Sequence, residues 1–147
     1  MSSPSENTVP ATLLRRLGAM IYDAILLIAV LIAAGGLVTW VLGDTPRDGD
    51  PFYFLYLLIT GFLFYGLFWT RGGRTLGLQT WRLRLETLDG SPITLRIAVI
   101  RYLAAILSWA VAGLGFLWIM IDRDKRAWHD RLSGTRIVRL PKNAPDH

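Results

Sequence analysis

Three long apolar runs without a charged side chain constrain this sequence more than any other feature. They cover Ala24 to Gly43, Phe52 to Thr70 and Tyr102 to Ile121. Each is roughly 20 residues long, the length that a helix needs to cross the ~30 Å hydrocarbon core of a bilayer. The runs are apolar all round, whereas the core helices of a soluble protein carry a polar stripe. The sequence therefore predicts an all-α membrane protein.

The runs place a membrane domain between two short tails. Residues 1–13 are rich in Ser, Pro and Asn and are predicted to be a disordered tail. Residues 14–140 form the membrane domain, with apolar segments at about 17–42, 52–69 and 97–121, and 141–147 form a C-terminal tail. The first run is too long for the core of a signal peptide, and no small-residue cleavage pattern follows it before Asp44. It is therefore expected to stay as an anchor.

The distribution of basic residues predicts the orientation in the membrane. Of the 16 Lys and Arg residues, only Arg47 lies in the polar loop from Gly43 to Pro51, which also holds three Asp. Basic loops stay on the cytoplasmic side, so this loop is predicted to be outside and the N-terminus inside. A third segment that crossed once would carry the basic C-terminal tail outside, against this rule. A helical hairpin bent at Gly113 to Gly115 is therefore preferred to a single span.

Two segments between the apolar runs alternate apolar and polar residues, as a strand does. They are Trp81 to Thr87, which is followed by a predicted turn, and Thr135 to Leu140. Neither segment is stable alone, and pairing them requires both to lie on one side of the membrane. The predicted fold is thus two full transmembrane helices, a third apolar hairpin or span, and short cytoplasmic β-like segments.

Asp23 lies about two helical turns inside the first predicted span and requires an explanation. A carboxylate there costs roughly 2.5 to 3.5 kcal/mol on insertion scales, so it needs a partner or a function. Arg101 is the other charge embedded in an apolar run and is the leading candidate for an ion pair with Asp23, with Arg16 second. The alternatives are an Asp23 that binds a proton or cation, and one that is simply protonated in place.

Catalytic, metal and cofactor sites are not predicted. The chain has no cysteine and only two histidines, and no nucleophile accompanies the segment Trp128 to Asp130, which is predicted to be a Trp anchor beside a helix end. The segment Gly72 to Gly77 has phosphate-loop glycine spacing, but Leu78 and Gln79 stand where that motif needs Lys and Ser or Thr. The chain has a net charge of +5, and most of its basic residues flank the apolar runs. This distribution indicates contacts with anionic lipid and not with nucleic acid.

Three segments resemble the RDD family of bacterial membrane proteins, in order and over nearly the whole chain. They are RRLGAMIYDAILL, GGRTLGLQTWRLRLETLDGSPITLRIAVIRYL and DRDKRAWHDRLSGTRIV. The resemblance puts the family's Arg on Arg16, its two Asp on Asp23 and Asp130, and its glycine-threonine-glycine motif on Gly73, Thr75 and Gly77. Arg15 contends for the Arg and Asp122 for the second Asp. The resemblance implies a role in transporting unidentified ligands, without a defined mechanism.

Two functions follow from these observations. In the first, the protein is transport-related and Asp23 exchanges a proton or cation. The apolar runs hold too few polar side chains to line a hydrophilic path, so this reading needs a homo-oligomer or a partner membrane protein. In the second, the protein is a non-catalytic scaffold or accessory subunit in which Arg16, Asp23, Arg101 and Asp130 tie helices and tail together. An enzyme is not expected.

Overall fold

The computed structural model describes residues 9–111, 117–123 and 126–141 and is mostly helical. Its helices are α1 (Leu13–Leu42), α2 (Pro51–Thr70), α3 (Leu76–Thr80), α4 (Leu95–Ala110) and α5 (Trp128–Ser133), with a 3-10 turn at Trp118–Met120. Its strands are β1 (Val9–Pro10), β2 (Leu83–Thr87) and β3 (Thr135–Arg139). The strands form one antiparallel sheet in the order β1-β3-β2.

Helices α1 and α2 are long and apolar enough to cross a membrane, as the first two apolar runs predict. In the most apolar window of 18 residues, α1 has no buried residue and only 17% of the α2 window is buried. Exposure of such a large apolar surface to water is unfavourable, whereas its contact with lipid is not. Helix α2 begins at Pro51 because the Asp50 carboxylate accepts the backbone N–H groups of Phe52 and Tyr53.

The third apolar run contains a shorter helix than the first two. Helix α4 has 16 residues, about 24 Å at 1.5 Å per residue, which is less than the bilayer core. It begins where Thr94 Oγ1 accepts the N–H of Ile97. The predicted bend at Gly113 to Gly115 lies outside the described residues.

The sheet unites segments that are far apart in the sequence. Both alternating segments are strands and they pair, with Leu85 opposite Ile137. Val9 and Pro10 also pair with β3, opposite Arg139 and Val138. The prediction that residues 1–13 form a disordered tail is therefore wrong for 9–13, since β1 has its partner at the other end of the chain and α1 begins at Leu13.

Packing brings the sheet against the helix ends that it connects. Leu83 and Leu85 of β2 are almost fully buried in one apolar cluster with residues from α1, α2 and α4. The buried members are Ala11, Ala19, Trp69, Leu78, Leu83, Leu85, Ile93 and Ala98. Because β1 leads directly into α1, and β2 follows α2 and precedes α4, the beginnings of α1 and α4 and the end of α2 lie together at the sheet.

Candidate functional site

Asp130 is the centre of a buried cluster of charges. Helix α5 carries it at its third residue, where Oδ2 accepts the backbone N–H of Ala127 at 3.1 Å and so caps the helix. The carboxylate also accepts hydrogen bonds from Arg16 Nη2 on α1 and from Arg101 Nη1 on α4. Asp130 is 0% exposed and both arginines are at most 4% exposed. One carboxylate thus joins α1, α4 and α5.

Arg101 also contacts the sheet and helix α2. Its Nη1 donates to Thr135 Oγ1 at the start of β3, at 2.8 Å. The central carbon of its guanidinium group lies 5.3 Å from the centroid of the Trp69 ring on α2, within the range of a cation-π interaction. Arg101 therefore also links α4 to α2 and to the sheet.

Burial and charge set the protonation of the groups on α5. Burial alone would raise the pKa of Asp130, but the positive charges of Arg101 and Arg16 outweigh it and hold that pKa well below its usual range. Burial and the charge of Arg101 lower the pKa of His129 to about 3. His129 Nε2 lies 3.5 Å from Asp130 Oδ1, yet a neutral imidazole cannot form an ion pair there. The cluster is therefore two guanidinium groups around one carboxylate.

Asp23 belongs to a second polar contact, between α1 and α3. Its Oδ2 accepts the hydroxyl hydrogen of Thr75, and its Oδ1 accepts the backbone N–H of Gly77 at 2.8 Å. The predicted ion pair between Asp23 and Arg101 is wrong, because Arg101 donates to Asp130 and Thr135 instead. Asp23 is nevertheless inside the protein, at 5% exposed.

The glycine-threonine-glycine motif builds the loop that receives Asp23. Gly73 has a φ of 68°, and a Cβ there would lie 2.0 Å from the carbonyl oxygen of Leu85. Thr75 caps α3 by accepting the N–H of Leu78 at 3.2 Å while it donates to Asp23. At Gly77, a Cβ would lie 2.2 Å from the carbonyl oxygen of Ala19. Gly77 therefore lets α3 approach the backbone of α1 closely, and Gly73 lets the preceding loop approach β2.

A cavity of about 360 Å³ lies between α1, α2 and α4, and Asp23 lines it. Its buried end also includes Arg16, Arg101 and His129, and the walls are mostly apolar or aromatic. The volume is at the lower end of the range for small-molecule sites. The full set of lining residues is Arg16, Ala19, Met20, Asp23, Ala24, Leu27, Ile28, Tyr65, Trp69, Thr75, Leu78, Arg101, Tyr102, Ala105, Ile106, Trp109, His129 and Ile137.

The two alternative signature residues lie elsewhere. Arg15 is only partly buried, whereas its neighbour Arg16 is at 3% exposed. Asp122 accepts hydrogen bonds from Arg131 Nη2 and from the backbone N–H of Arg126, so it pairs within its own segment. In the described ranges, no group of three or more His, Cys, Asp or Glu side chains could hold a metal ion.

Sequence reasoning missed the two partners that matter most. The roles of Thr75 toward Asp23 and of Asp130 toward Arg101 depend on contacts between residues 52 and 29 positions apart. A signal for the second was present, since two arginines embedded in apolar segments need a carboxylate between them. No comparable signal pointed to Thr135, which lies on a strand.

Comparison with known proteins gives one match. The model of the RDD family matches residues 10–134, which include α1 to α5 and β2. No curated protein and no solved structure shows significant similarity to the chain.

Proposed function

The chain belongs to the RDD family, and from that premise we propose that it is a multi-pass bacterial inner-membrane protein that binds and exchanges a proton or cation at Asp23. The observation that carries the proposal is the position of Asp23, whose carboxylate lines the cavity while neutral groups hold it. An ionised carboxylate has about four acceptor positions, and Thr75 and Gly77 use one each. The remaining positions are available to a ligand.

Asp130 and Asp23 have different roles in this proposal. Asp130 is fully enclosed by Arg16, Arg101 and the first turn of α5, which suits a structural role. Asp23 has no comparable enclosure, because it lines open volume. Intramembrane carboxylates next to a cavity are the usual sites of proton or cation exchange. The cavity walls are mostly apolar, so we expect a complete pathway to require a homo-oligomer or a partner membrane protein.

Ion flux in liposomes tests the exchange function. We expect purified wild-type protein to exchange protons for Na⁺ or K⁺ and Asp23→Asn to lose at least about nine-tenths of that flux, since the neutral amide cannot hold a cation. The variant should fold, because the Asn carbonyl can accept the N–H of Gly77 and its amide can donate to Thr75 Oγ1. Asp48→Asn, in an exposed loop, is the matched control and should behave like wild type.

A second candidate function is a non-catalytic scaffold or accessory subunit. The observation in its favour is the Asp130 cluster, which ties α1, α4, α5 and β3 together around a fully buried carboxylate. If wild-type protein conducts no ions, or if Asp23→Asn retains its flux, the scaffold function is the better account.

The topology that we propose has the N-terminus, the sheet and the C-terminal tail in the cytoplasm. Support comes from the Lys and Arg distribution and from the pairing of β1 and β2 with β3, which join segments before α1, before α4 and after the third apolar run. A run that folds back brings β3 to β2, whereas a single crossing would separate them by the bilayer.

Cysteine labelling tests this topology, since the chain has no native cysteine. In intact spheroplasts, a membrane-impermeant maleimide should label a cysteine at Asp48 and should not label one at Arg84 or Arg139, whose side chains are exposed. After permeabilisation all three positions should react. Labelling of Arg139→Cys in intact spheroplasts would contradict the fold-back of the third run.

A further inference from the structure

The shape of the cavity indicates that its ligand is an amphipathic molecule. Along α1 its lining runs over 13 residues, from Arg16 to Ile28, or about 18 Å of helix. The charged groups lie at the buried end, whereas Ile28 and Trp109 at the other end are 57% and 65% exposed. In a bilayer that exposed end faces lipid. A molecule entering there would place a polar headgroup among the charges and leave its apolar part between α1 and α4.

The charged residues at the buried end of the cavity favour a headgroup that carries both a positive and a negative charge. When Asp23 is ionised, the two positive charges of Arg16 and Arg101 are balanced by the negative charges of Asp23 and of Asp130, which pairs with both arginines. His129 adds no charge near neutral pH, since its pKa is lowered to about 3. An anion alone would leave a net negative charge in a site of low dielectric, which is costly. A zwitterion leaves the sum at zero.

Unfilled hydrogen-bonding groups of both kinds lie at the same end. Asp23 retains acceptor positions beyond those used by Thr75 and Gly77. Arg101 lines the cavity, and its buried Nε–H has no hydrogen-bond acceptor among the described residues. Buried donors without an acceptor are rare in folded proteins and call for a bound molecule or water. The pair offers an acceptor to an ammonium group and a donor to a phosphate or carboxylate.

We propose that the cavity binds a zwitterionic amphipath, with its ammonium group on Asp23, its anionic group toward Arg101 and its apolar chain between α1 and α4 toward Trp109. A lysophospholipid with an ethanolamine headgroup has this chemistry. The inference rests on the proposed function in that both use Asp23 as the group that binds positive charge. It adds the class of ligand and the direction from which the ligand enters.

Equilibrium binding in a neutral maltoside detergent tests the ligand class. The probe is radiolabelled lysophosphatidylethanolamine, and the competitors are an alkylammonium and an alkyl phosphate of equal chain length, each of which carries charge of only one sign. We expect the zwitterion to bind at least about tenfold more tightly than either, because a hydrogen bond to a charged group contributes roughly that factor. Lysophosphatidylcholine should also bind more weakly, since its quaternary nitrogen cannot donate to Asp23. Equal affinity for the alkylammonium or the alkyl phosphate would overturn the proposal.

Two pairs of variants locate the site. Asp23→Asn should weaken lysophosphatidylethanolamine binding at least about tenfold and should not weaken binding of the alkyl phosphate, which then meets no negative charge at position 23, with Asp48→Asn as control. Ala105→Trp fills the cavity without removing a charged group and should abolish binding, whereas Leu103→Trp should not, since Leu103 is 60% exposed and does not line the cavity. Binding that survives Ala105→Trp would place the ligand elsewhere and overturn the proposal.

The outcomes separate this inference from the exchange function. Flux is measured in liposomes of phosphatidylcholine and phosphatidylglycerol, which lack the ethanolamine headgroup. Flux that depends on Asp23 together with unselective ligand binding would overturn the zwitterion site and leave the exchange function standing. Selective binding without flux would do the reverse.

Discussion

Replacing Asp130 by Asn is expected to destabilise the protein by roughly 3 to 5 kcal/mol, the usual cost of removing one partner from a buried ion pair. The substitution leaves the guanidinium groups of Arg16 and Arg101 buried with no carboxylate between them. It also weakens the cap on the N–H of Ala127. Thermal unfolding in detergent, followed by size-exclusion chromatography, measures the loss as a lower midpoint and a lower folded yield.

The control and the rescue make this result specific to the cluster. Asp48→Asn removes a carboxylate from an exposed loop and should change the unfolding midpoint little. Replacing Arg16, Arg101 and Asp130 together by Leu removes all three buried charges and should recover part of the lost stability. If Asp130→Asn unfolds at the wild-type temperature, the cluster does not hold the helices together.

The second large effect is expected at Gly77, where an added methyl group has no space. In Gly77→Ala the Cβ would lie 2.2 Å from the Ala19 carbonyl oxygen and 2.8 Å from Asp23 Cγ. Helix α3 must move away from α1, which strains the packing and breaks the hydrogen bond between the Gly77 N–H and Asp23. The expected loss is on the order of 3 kcal/mol, from overpacking and a lost bond to a buried carboxylate.

Gly36→Ala is the matched control, since Gly36 lies within α1 and a Cβ there meets nothing within 4 Å. Because Ala favours a helix over Gly by about 1 kcal/mol, this variant should be as stable as wild type or slightly more so. The two alanine variants are compared by thermal unfolding in the same detergent. Equal midpoints would mean that α3 does not pack against α1 as closely as described.

The apolar runs alone predict α1 and α2, because a helix in lipid is specified by length and composition. The alternation around Leu85 and Ile137 likewise predicts two strands and their pairing. Local pattern could not reveal β1, since Val9 and Pro10 form a strand only through β3. Whether a segment of two residues forms a strand depends on the strand it pairs with and not on its own residues.

The candidate site was predictable in its members but not in its pairings. Arg16, Asp23, Arg101 and Asp130 are conspicuous as charges within or beside apolar segments. Asp23 and Arg101 are both buried with partners, as their position in apolar segments requires, but they do not pair with each other. Asp23 instead accepts hydrogen bonds from two neutral groups, Thr75 and Gly77. Arg101 pairs with Asp130 because α5 packs against α4, which the sequence pattern does not reveal.

The contact between Arg16 and Asp130 has a consequence for how the protein is made. The two residues are 114 positions apart. Strand β1 likewise cannot pair until β3, near the other end of the domain, has been synthesised. Domains emerge from the ribosome N-terminal end first, so Arg16 is made well before its counterion Asp130. Arg16 must stay hydrated at the membrane surface during that interval, as its long side chain permits. Synthesis of the last strand is therefore the step that converts a set of inserted helices into a closed domain.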